Sequence, residues 1–289
     1  MVRSNSTHAP GTNYDAKVVE GFGHEWQRFD QKPLDEAEVR ELFDRYFAIF
    51  PWDELPSGAS GFDAGCGSGR WARFVAPRVG TLHCVDASRD ALGVAARNLS
   101  AFENCNFHLA TIDSMPLPDH SLDFGYSLGV LHHIPDTRSA LNACARKLKP
   151  GAPFLLYLYY AFDNRPGWFR AIWKVSDRVR SLLSRAPFRV RSAVCDVIAA
   201  GVYLPLARTA KLMERLGMSV EQVPLSTYRD QSFYVMRTDA LDRFGTRLEQ
   251  RFTRSEIARM MEDAGLTEIR FQEGPPYWVA VGRKAALSA

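Results

Sequence analysis

The sequence predicts an α/β fold built on a mostly parallel sheet. Between residues 60 and 160, apolar runs typical of buried strands alternate with segments of helical periodicity, a pattern that indicates parallel βαβ units. A glycine-rich bend at 65–69 follows the first apolar run, and acidic residues follow later ones. Because ligands of such sheets bind at the carboxyl ends of the strands, these observations predict one ligand crevice at that edge.

The predicted elements follow one another at short intervals. Residues 35–50 place apolar side chains at helical spacing and predict a helix that packs on the core. Near the end of the chain, Thr253 and Glu256 predict a capping box for a helix over 254–264. The predicted strands are 60–64, 81–86, 106–110, 122–127, 153–160, 267–271 and 277–282, and the other predicted helices are 69–77, 89–99 and 137–147.

A minimal sheet domain does not need residues 162–249. Their apolar side chains recur at helical spacing and predict an insertion of three or four helices. Since the insertion follows the fifth strand at the ligand end of the sheet, we expect a lid over the active site, with a homodimer interface as the alternative role. The expected organisation is a disordered tail over 1–13, a sheet domain over 14–161 and 250–289, and the insertion between them.

The insertion is strongly basic at its start. Eight arginine and lysine residues lie between 165 and 191, against the single acid Asp177. A basic amphipathic helix is either a solvated face, a membrane-surface helix or a contact for an anionic substrate.

Composition excludes several classes of protein. The chain has 289 residues, 46% hydrophobic and 24% charged, with a net charge of +3, which is too small to indicate a nucleic-acid partner. Five cysteines without a C-x-x-C pair favour reduced thiols in the cytoplasm over disulfides or zinc ligands. The apolar runs near 154–162 and 197–207 are shorter than a membrane span. We therefore expect a cytoplasmic protein without stable membrane insertion, although surface association stays open.

The bend itself reads F-D-A-G-C-G-S-G-R over residues 62–70. Its G-x-G-x-G spacing differs from the G-x-G-x-x-G of dinucleotide-binding loops, in which Arg70 would replace the third glycine. Asp86 ends the next predicted strand, where a carboxylate would meet a ribose diol. The pattern therefore indicates a nucleoside cofactor other than a dinucleotide.

This bend resembles motif I of the class I S-adenosylmethionine-dependent methyltransferases. The resemblance continues in order through four further segments, which are 82–86 (L-H-C-V-D), 110–113 (A-T-I-D), 122–136 and 148–151 (L-K-P-G). It covers about 55–160 well and 250–284 moderately. It implies a Rossmann-like class I methyltransferase sheet with an antiparallel strand near the C-terminus, a transferase activity and S-adenosylmethionine as cofactor.

The resemblance also implies where the cofactor would bind. The bend would hold its methionine end, Asp86 would accept from the ribose hydroxyls, and Asp113 from the adenine amine, while Trp26 would close over it. The alternatives are a helix cap for Asp86 and an ordinary turn for Asp113. The cofactor residues so implied are Asp63, Ala64, Gly65, Cys66, Gly67, Asp86, Ala87, Ile112, Asp113, Ser114, Ser127, Leu128 and Trp26.

Four residues are candidates for catalysis. His132 and His133 lie just past the fourth strand and are candidate bases for a hydroxyl acceptor. Tyr159, at the end of the fifth strand, would orient a polar acceptor, and Asp163 would take a proton. For each of them, structural packing is the alternative. No metal is expected, since the loop after the fourth strand lacks a cluster of acids.

The leading hypothesis is methyl transfer to a small molecule, as O-methylation of a hydroxylated metabolite such as a sugar, glycan or natural product. The enzymatic alternative is C-methylation of a quinone, prenyl-type or lipid-linked substrate. Two other classes remain: a nicotinamide oxidoreductase, against which Arg70 argues, and a catalytically silent protein that binds S-adenosylmethionine.

Overall fold

The computed structural model describes residues 13–286, so the predicted tail lies outside the described residues except for Asn13. The chain divides into two compact units. The first contains the residues up to Gln31, Val39–Ala161 and the residues from Leu248 onward. The second contains Lys32–Glu38 and Phe162–Arg247. Residues 32–38 therefore group with the second unit, whereas the sequence assigned them to the sheet domain.

Asn13, the last residue of the predicted tail, makes three hydrogen bonds within the first unit. Its backbone N–H donates to Asp113 Oδ2 at 3.1 Å. Its side-chain amide donates to the carbonyl of Asp136 and accepts from the N–H of that residue, both at 2.7 Å. The backbone at residue 13 is thus fixed by hydrogen bonds to the first unit.

The first unit is built on a seven-stranded sheet in the order β3-β2-β1-β4-β5-β7-β6. Strands β1 to β5 pair in parallel, and β7 is antiparallel to both of its neighbours. This arrangement confirms the predicted fold class. The strands are β1 Ser60–Ala64, β2 Thr81–Asp86, β3 Cys105–Leu109, β4 Phe124–Leu128, β5 Pro153–Tyr157, β6 Leu266–Phe271 and β7 Val279–Lys284.

Ten α-helices accompany the sheet and the second unit within residues 13–286. They are α1 Ala16–Arg28, α2 Glu36–Tyr46, α3 Ala72–Val75, α4 Arg89–Asn98, α5 Thr137–Lys147, α6 Gly167–Leu183, α7 Phe188–Ile198, α8 Leu204–Arg215, α9 Phe233–Gly245 and α10 Arg254–Asp263. The capping box of Thr253 and Glu256 is present at α10. α3 begins at residue 72 rather than 69 because Gly69 has a left-handed φ of +76°, which a right-handed helix excludes.

Glycine and phenylalanine alternate across the two central strands. Gly61 of β1 pairs with Phe124 of β4, and Phe62 pairs with Gly125. A Cβ atom added to Gly61 would lie 2.2 Å from the Phe124 ring, and one added to Gly125 would lie 2.3 Å from the Phe62 ring. Both rings are fully buried. Each glycine therefore provides the space that the opposite phenyl ring fills.

We expect Gly61→Ala to lower the free energy of unfolding by about 1–3 kcal/mol, because the added methyl group overpacks a filled core. Gly93→Ala is the matched control: it lies inside α4, and its added Cβ would meet only Arg97 Nη1, at 3.8 Å. Alanine in a helix interior should stabilise that variant by roughly 0.5–1 kcal/mol. Urea denaturation measures both, and equal effects would contradict the packing argument.

In the second unit, α7, a π-helical turn at Ala199–Tyr203 and α8 follow one another without a break. Among the described residues, this stretch, Phe188–Arg215, is the one helix whose length and composition suffice to cross a membrane, and a third of its most apolar window is buried. The sequence expectation that the run near 197–207 is too short is corrected, because that run is part of a 28-residue helix. α7 packs on α9 within this unit.

Candidate active site

The glycine bend lies directly after β1. Gly65, Gly67 and Gly69 have φ values of +84°, +54° and +76°, a left-handed conformation that favours glycine. A Cβ on Gly65 would lie 2.4 Å from Val130, and one on Gly67 would lie 2.9 Å from Trp26 Nε1. The close approach of Val130 and Trp26 therefore requires glycine at these positions. It also places the Trp26 ring against the bend.

Hydrogen bonds hold the bend to the neighbouring strand ends. The N–H groups of Gly65 and Cys66 both donate to the carbonyl of Val85, at 2.8 and 3.0 Å. The Ser127 hydroxyl donates to the carbonyl of Ala64 at 2.8 Å. The carboxyl ends of β1, β2 and β4 are thus fixed at one edge of the sheet.

Asp86 ends β2 and faces the bend. Its Oδ2 accepts from the N–H of Gly67 at 2.9 Å, and its Oδ1 accepts from the N–H of Ser88 at 2.8 Å. Burial raises the pKa of Asp86, and the two backbone donors oppose that shift. Ser88, beyond Ala87, caps α4, so Asp86 is not the cap of that helix. Each carboxylate oxygen keeps a second lone pair, which fits a ribose hydroxyl.

Asp63 is buried in β1, with 1% of its surface exposed. Burial raises the pKa of this carboxyl to about 8; the nearby Asp86 adds to the shift and the Tyr126 hydroxyl opposes it. Its Oδ2 has no hydrogen-bond partner among residues 13–286. A buried carboxyl with an unsatisfied oxygen is costly, and a cationic group of a ligand would satisfy it. The residues of this edge therefore fit the methionine end of S-adenosylmethionine.

Asp113 lies in the turn after β3. Its Oδ2 accepts from Asn13, while its Oδ1 is buried and has no partner within the described part of the chain. Ile112 is buried beside it, and the Ser114 hydroxyl pairs with that of Thr111 at 2.8 Å. One oxygen of Asp113 is therefore available to an amine donor.

The two histidines follow β4 and are both buried. The His132 ring stacks on Tyr159 and packs at a tilt against His133, with ring centroids 4.0 Å apart in each pair. Burial lowers the pKa of His132 well below its ordinary value, and the charges of His133 and Arg251 act in the same direction. These surroundings therefore favour the neutral form of His132.

His133 is oriented by the backbone. Its Nδ1 lies 2.6 Å from the carbonyl oxygen of Leu248. Because a carbonyl only accepts, Nδ1 carries the proton, and in the neutral ring Nε2 is the acceptor nitrogen. The ring also lies against Phe22, at 5.0 Å between centroids. The fold thus fixes the tautomer of the neutral ring, with the proton on Nδ1.

A buried ion pair adjoins these rings and was missed by the sequence analysis. Arg251 pairs with Glu249 at 2.7 Å, and their side chains are 5% and 2% exposed. The Arg251 guanidinium lies 5.1 Å from the centre of the Tyr159 ring. Glu249 Oε2 is buried without a hydrogen-bond partner in the described chain. In the sequence, the spacing of Glu249 and Arg251 indicates only that the two side chains can pair. That this segment lies beside Tyr159, just past β5, follows from long-range packing and leaves no pattern in the sequence.

The predicted cofactor residues other than Trp26 lie at one edge of the sheet, and three of the four predicted catalytic residues contact one another. Asp163, the fourth, is separate from them. His132, His133 and Tyr159 are in mutual contact. Asp163 is exposed and belongs to the second unit. The predicted cofactor residues of the sheet edge lie at the ends of β1, β2, β3 and β4: Asp63, Ala64, Gly65, Cys66, Gly67, Asp86, Ala87, Ile112, Asp113, Ser114, Ser127 and Leu128.

The strand order and the residues of this edge match the fold of class I methyltransferases. Residues 62–156 match the family model described as a methyltransferase domain. The chain is 36% identical over 104 residues to the uncharacterized methyltransferase YcgJ of Bacillus subtilis. The aligned residues cover 35% of this chain and 41% of that relative. It is 29% identical over 203 residues to an O-methyltransferase of Pyrenophora dematioidea, covering 63% of this chain and 74% of that protein.

A solved structure shares the fold along nearly the whole chain. It is the 1,6-didemethyltoxoflavin-N1-methyltransferase of Burkholderia thailandensis, solved with that substrate and S-adenosylhomocysteine. The TM-score is 0.55 at 16% identity, over 98% of this chain and 94% of that one. By contrast, this chain spans less than half the length of the first curated relatives that its sequence matches. The match of residues 62–156 to a methyltransferase domain agrees with the predicted transferase class.

Proposed function

We propose that this protein transfers the methyl group of S-adenosylmethionine to a hydroxyl group of a small molecule. When bound, the cofactor supplies a methyl group on a sulfonium, which is already a good leaving group. The protein's task is then to position the acceptor and exclude water. A hydroxyl acceptor additionally needs a base to take its proton.

The observation that carries the proposal is the orientation of His133. The hydrogen bond to Leu248 leaves Nε2 as the proton acceptor of the neutral ring. The buried Glu249–Arg251 pair and Tyr159 adjoin this ring system. These groups offer a polar environment in which a hydroxylated acceptor can be oriented, with Glu249 Oε2 as an acceptor for one of its hydroxyl groups.

The relatives support this chemistry without fixing the acceptor. One of them is the O-methyltransferase of Pyrenophora dematioidea, and another is a demethylmenaquinone methyltransferase, 28% identical over 101 residues. C-methylation of a quinone or lipid-linked acceptor is therefore the second candidate. The lid role of the insertion and the cytoplasmic location remain proposals.

Calorimetry and product analysis test the proposal. We expect S-adenosylmethionine and S-adenosylhomocysteine to bind to the purified chain and NAD not to bind. Incubation with labelled S-adenosylmethionine and matched hydroxylated and quinone acceptors should give label in a methyl ether. A product with a new carbon–carbon bond would favour the second candidate. Cofactor binding without transfer to any acceptor class would favour a catalytically silent protein.

A further inference from the structure

The helices α6 and α7 both expose large apolar side chains. Every large apolar side chain that is exposed in the described chain lies between Trp168 and Phe233, in the second unit. In α6, the exposed residues recur at intervals of four and three, which places them in one row along the helix. They are Trp168, Ile172, Val175, Val179 and Leu182, each 46–74% exposed, and Val190, Val194 and Val197 continue the pattern in α7.

The charge available on this surface has one sign. Between residues 164 and 213 there are ten arginines and lysines and only two acids. Both acids are paired: Asp177 with Arg180 at 2.7 Å, and Asp196 with Arg237 at 2.9 Å. The side chains of five exposed cations make no hydrogen bond or ion pair with any described residue: Arg170, Lys174, Arg178, Arg185 and Arg189.

We propose that the exposed surface formed by these eight apolar residues and five cations, called here the basic apolar face, binds the surface of an anionic lipid bilayer. In α6, the cations lie beside the apolar row on the exposed side of the helix. Apolar side chains of such a face enter the boundary between headgroups and acyl chains, and lysine and arginine meet the anionic headgroups. Trp168, at one end of the row, is the residue type that prefers the membrane interface. This inference does not depend on the proposed function.

Two other occupants fit the face less well. A second copy of the chain would bring the same unpaired cations together, and like charges across an interface are repulsive. Membrane crossing by 188–215 would expose the face that α7 buries against α9, including Arg191, which donates to the carbonyl of Gly245 at 3.0 Å. The geometry therefore points to a helix pair that lies on a bilayer rather than through it.

Vesicle sedimentation with the full chain tests this inference. The probes are vesicles of phosphatidylcholine alone and of phosphatidylcholine mixed with phosphatidylglycerol, each at low and high salt. We expect binding to the mixed vesicles at low salt, much weaker binding to the neutral ones, and release by salt, since salt screens the attraction.

Paired variants locate the contact. Lys174→Gln with Arg178→Gln should lower partitioning roughly 25-fold, at about fivefold per cation. The matched control, Arg97→Gln with Arg259→Gln, removes the same charge from exposed positions in the first unit and should leave binding unchanged. Leu182→Asn should weaken binding more than Leu216→Asn, although the two leucines are similarly exposed, at 74% and 69%.

Three results would overturn the inference. The first is an absence of binding to mixed vesicles at low salt, as expected if the face instead met an acidic protein. The second is an equal loss of vesicle partitioning in the control variant, Arg97→Gln with Arg259→Gln. The third is a dimer in sedimentation velocity that Leu182→Asn dissociates, which would assign the face to self-association.

Discussion

Asp86→Ala is expected to abolish binding of S-adenosylmethionine, whereas His133→Ala leaves binding intact. Asp86 ends β2 beside the glycine bend, and its carboxylate already fixes the N–H groups of Gly67 and Ser88. Removing it deletes two charged acceptors for the ribose and releases the bend. Hydrogen bonds to charged groups contribute about 1.5–3 kcal/mol each, so the affinity should fall by roughly a hundredfold or more. Calorimetric titration measures both variants.

The control for this pair separates binding from folding. Asp90→Ala removes an exposed acid from the first turn of α4 and should bind normally, and thermal denaturation confirms that each variant is folded. His133→Ala should lose turnover on any hydroxyl acceptor, because it lacks the oriented Nε2. Equal loss of cofactor affinity in Asp86→Ala and His133→Ala would instead place His133 in the cofactor pocket.

Binding of S-adenosylmethionine is expected to release a proton from Asp63. Burial holds the pKa of this carboxyl at about 8 in the free protein, so the group is mainly protonated at neutral pH. The cationic methionine end of the cofactor favours the ionised form and lowers that pKa. The affinity should therefore rise up to about tenfold per pH unit below pH 8 and become constant above it. Calorimetry in buffers of different ionisation enthalpy measures the released proton.

Asp63→Asn isolates this effect. The variant should bind more weakly, with an affinity that is independent of pH and without proton release. Although the variant should bind the cofactor more weakly, its folded state should be more stable than that of the wild-type chain at neutral pH. Since the folded carboxyl holds its proton up to about pH 8 and an unfolded one loses it near pH 4, the wild-type chain loses stability as pH rises across that range. Asparagine carries no proton to lose, so this loss of stability should be absent from the variant. In the binding experiment, an affinity that still depends on pH in Asp63→Asn would show that Asp63 is not the group that releases the proton.

The first unit was predictable where local chemistry sets the structure. Short apolar runs located all seven strands to within a few residues, because a buried strand shows its composition over five or six consecutive positions. The capping box predicted the start of α10, since its two hydrogen bonds join residues three apart. Strand β5 ends at Tyr157 rather than residue 160, because pairing with β7 depends on a segment more than a hundred residues away.

The acceptor side of the site was only partly predictable. His132, His133 and Tyr159 follow strand ends and could be named from that position. The Glu249–Arg251 pair and the carbonyl of Leu248 come from a segment more than a hundred residues later than β4. No local pattern indicates that these residues meet, because loop closure over such a distance depends on the packing of the whole unit.

The sequence by itself determined the parallel sheet, the glycine bend and the acids at the strand ends, because each follows from steric limits and hydrogen bonds between near neighbours. Only the tertiary structure decided which oxygens stay unsatisfied, which histidine nitrogen accepts, and that the apolar row of α6 is exposed. Those properties depend on how much water remains around a group, and the neighbours that exclude water are supplied by distant parts of the chain.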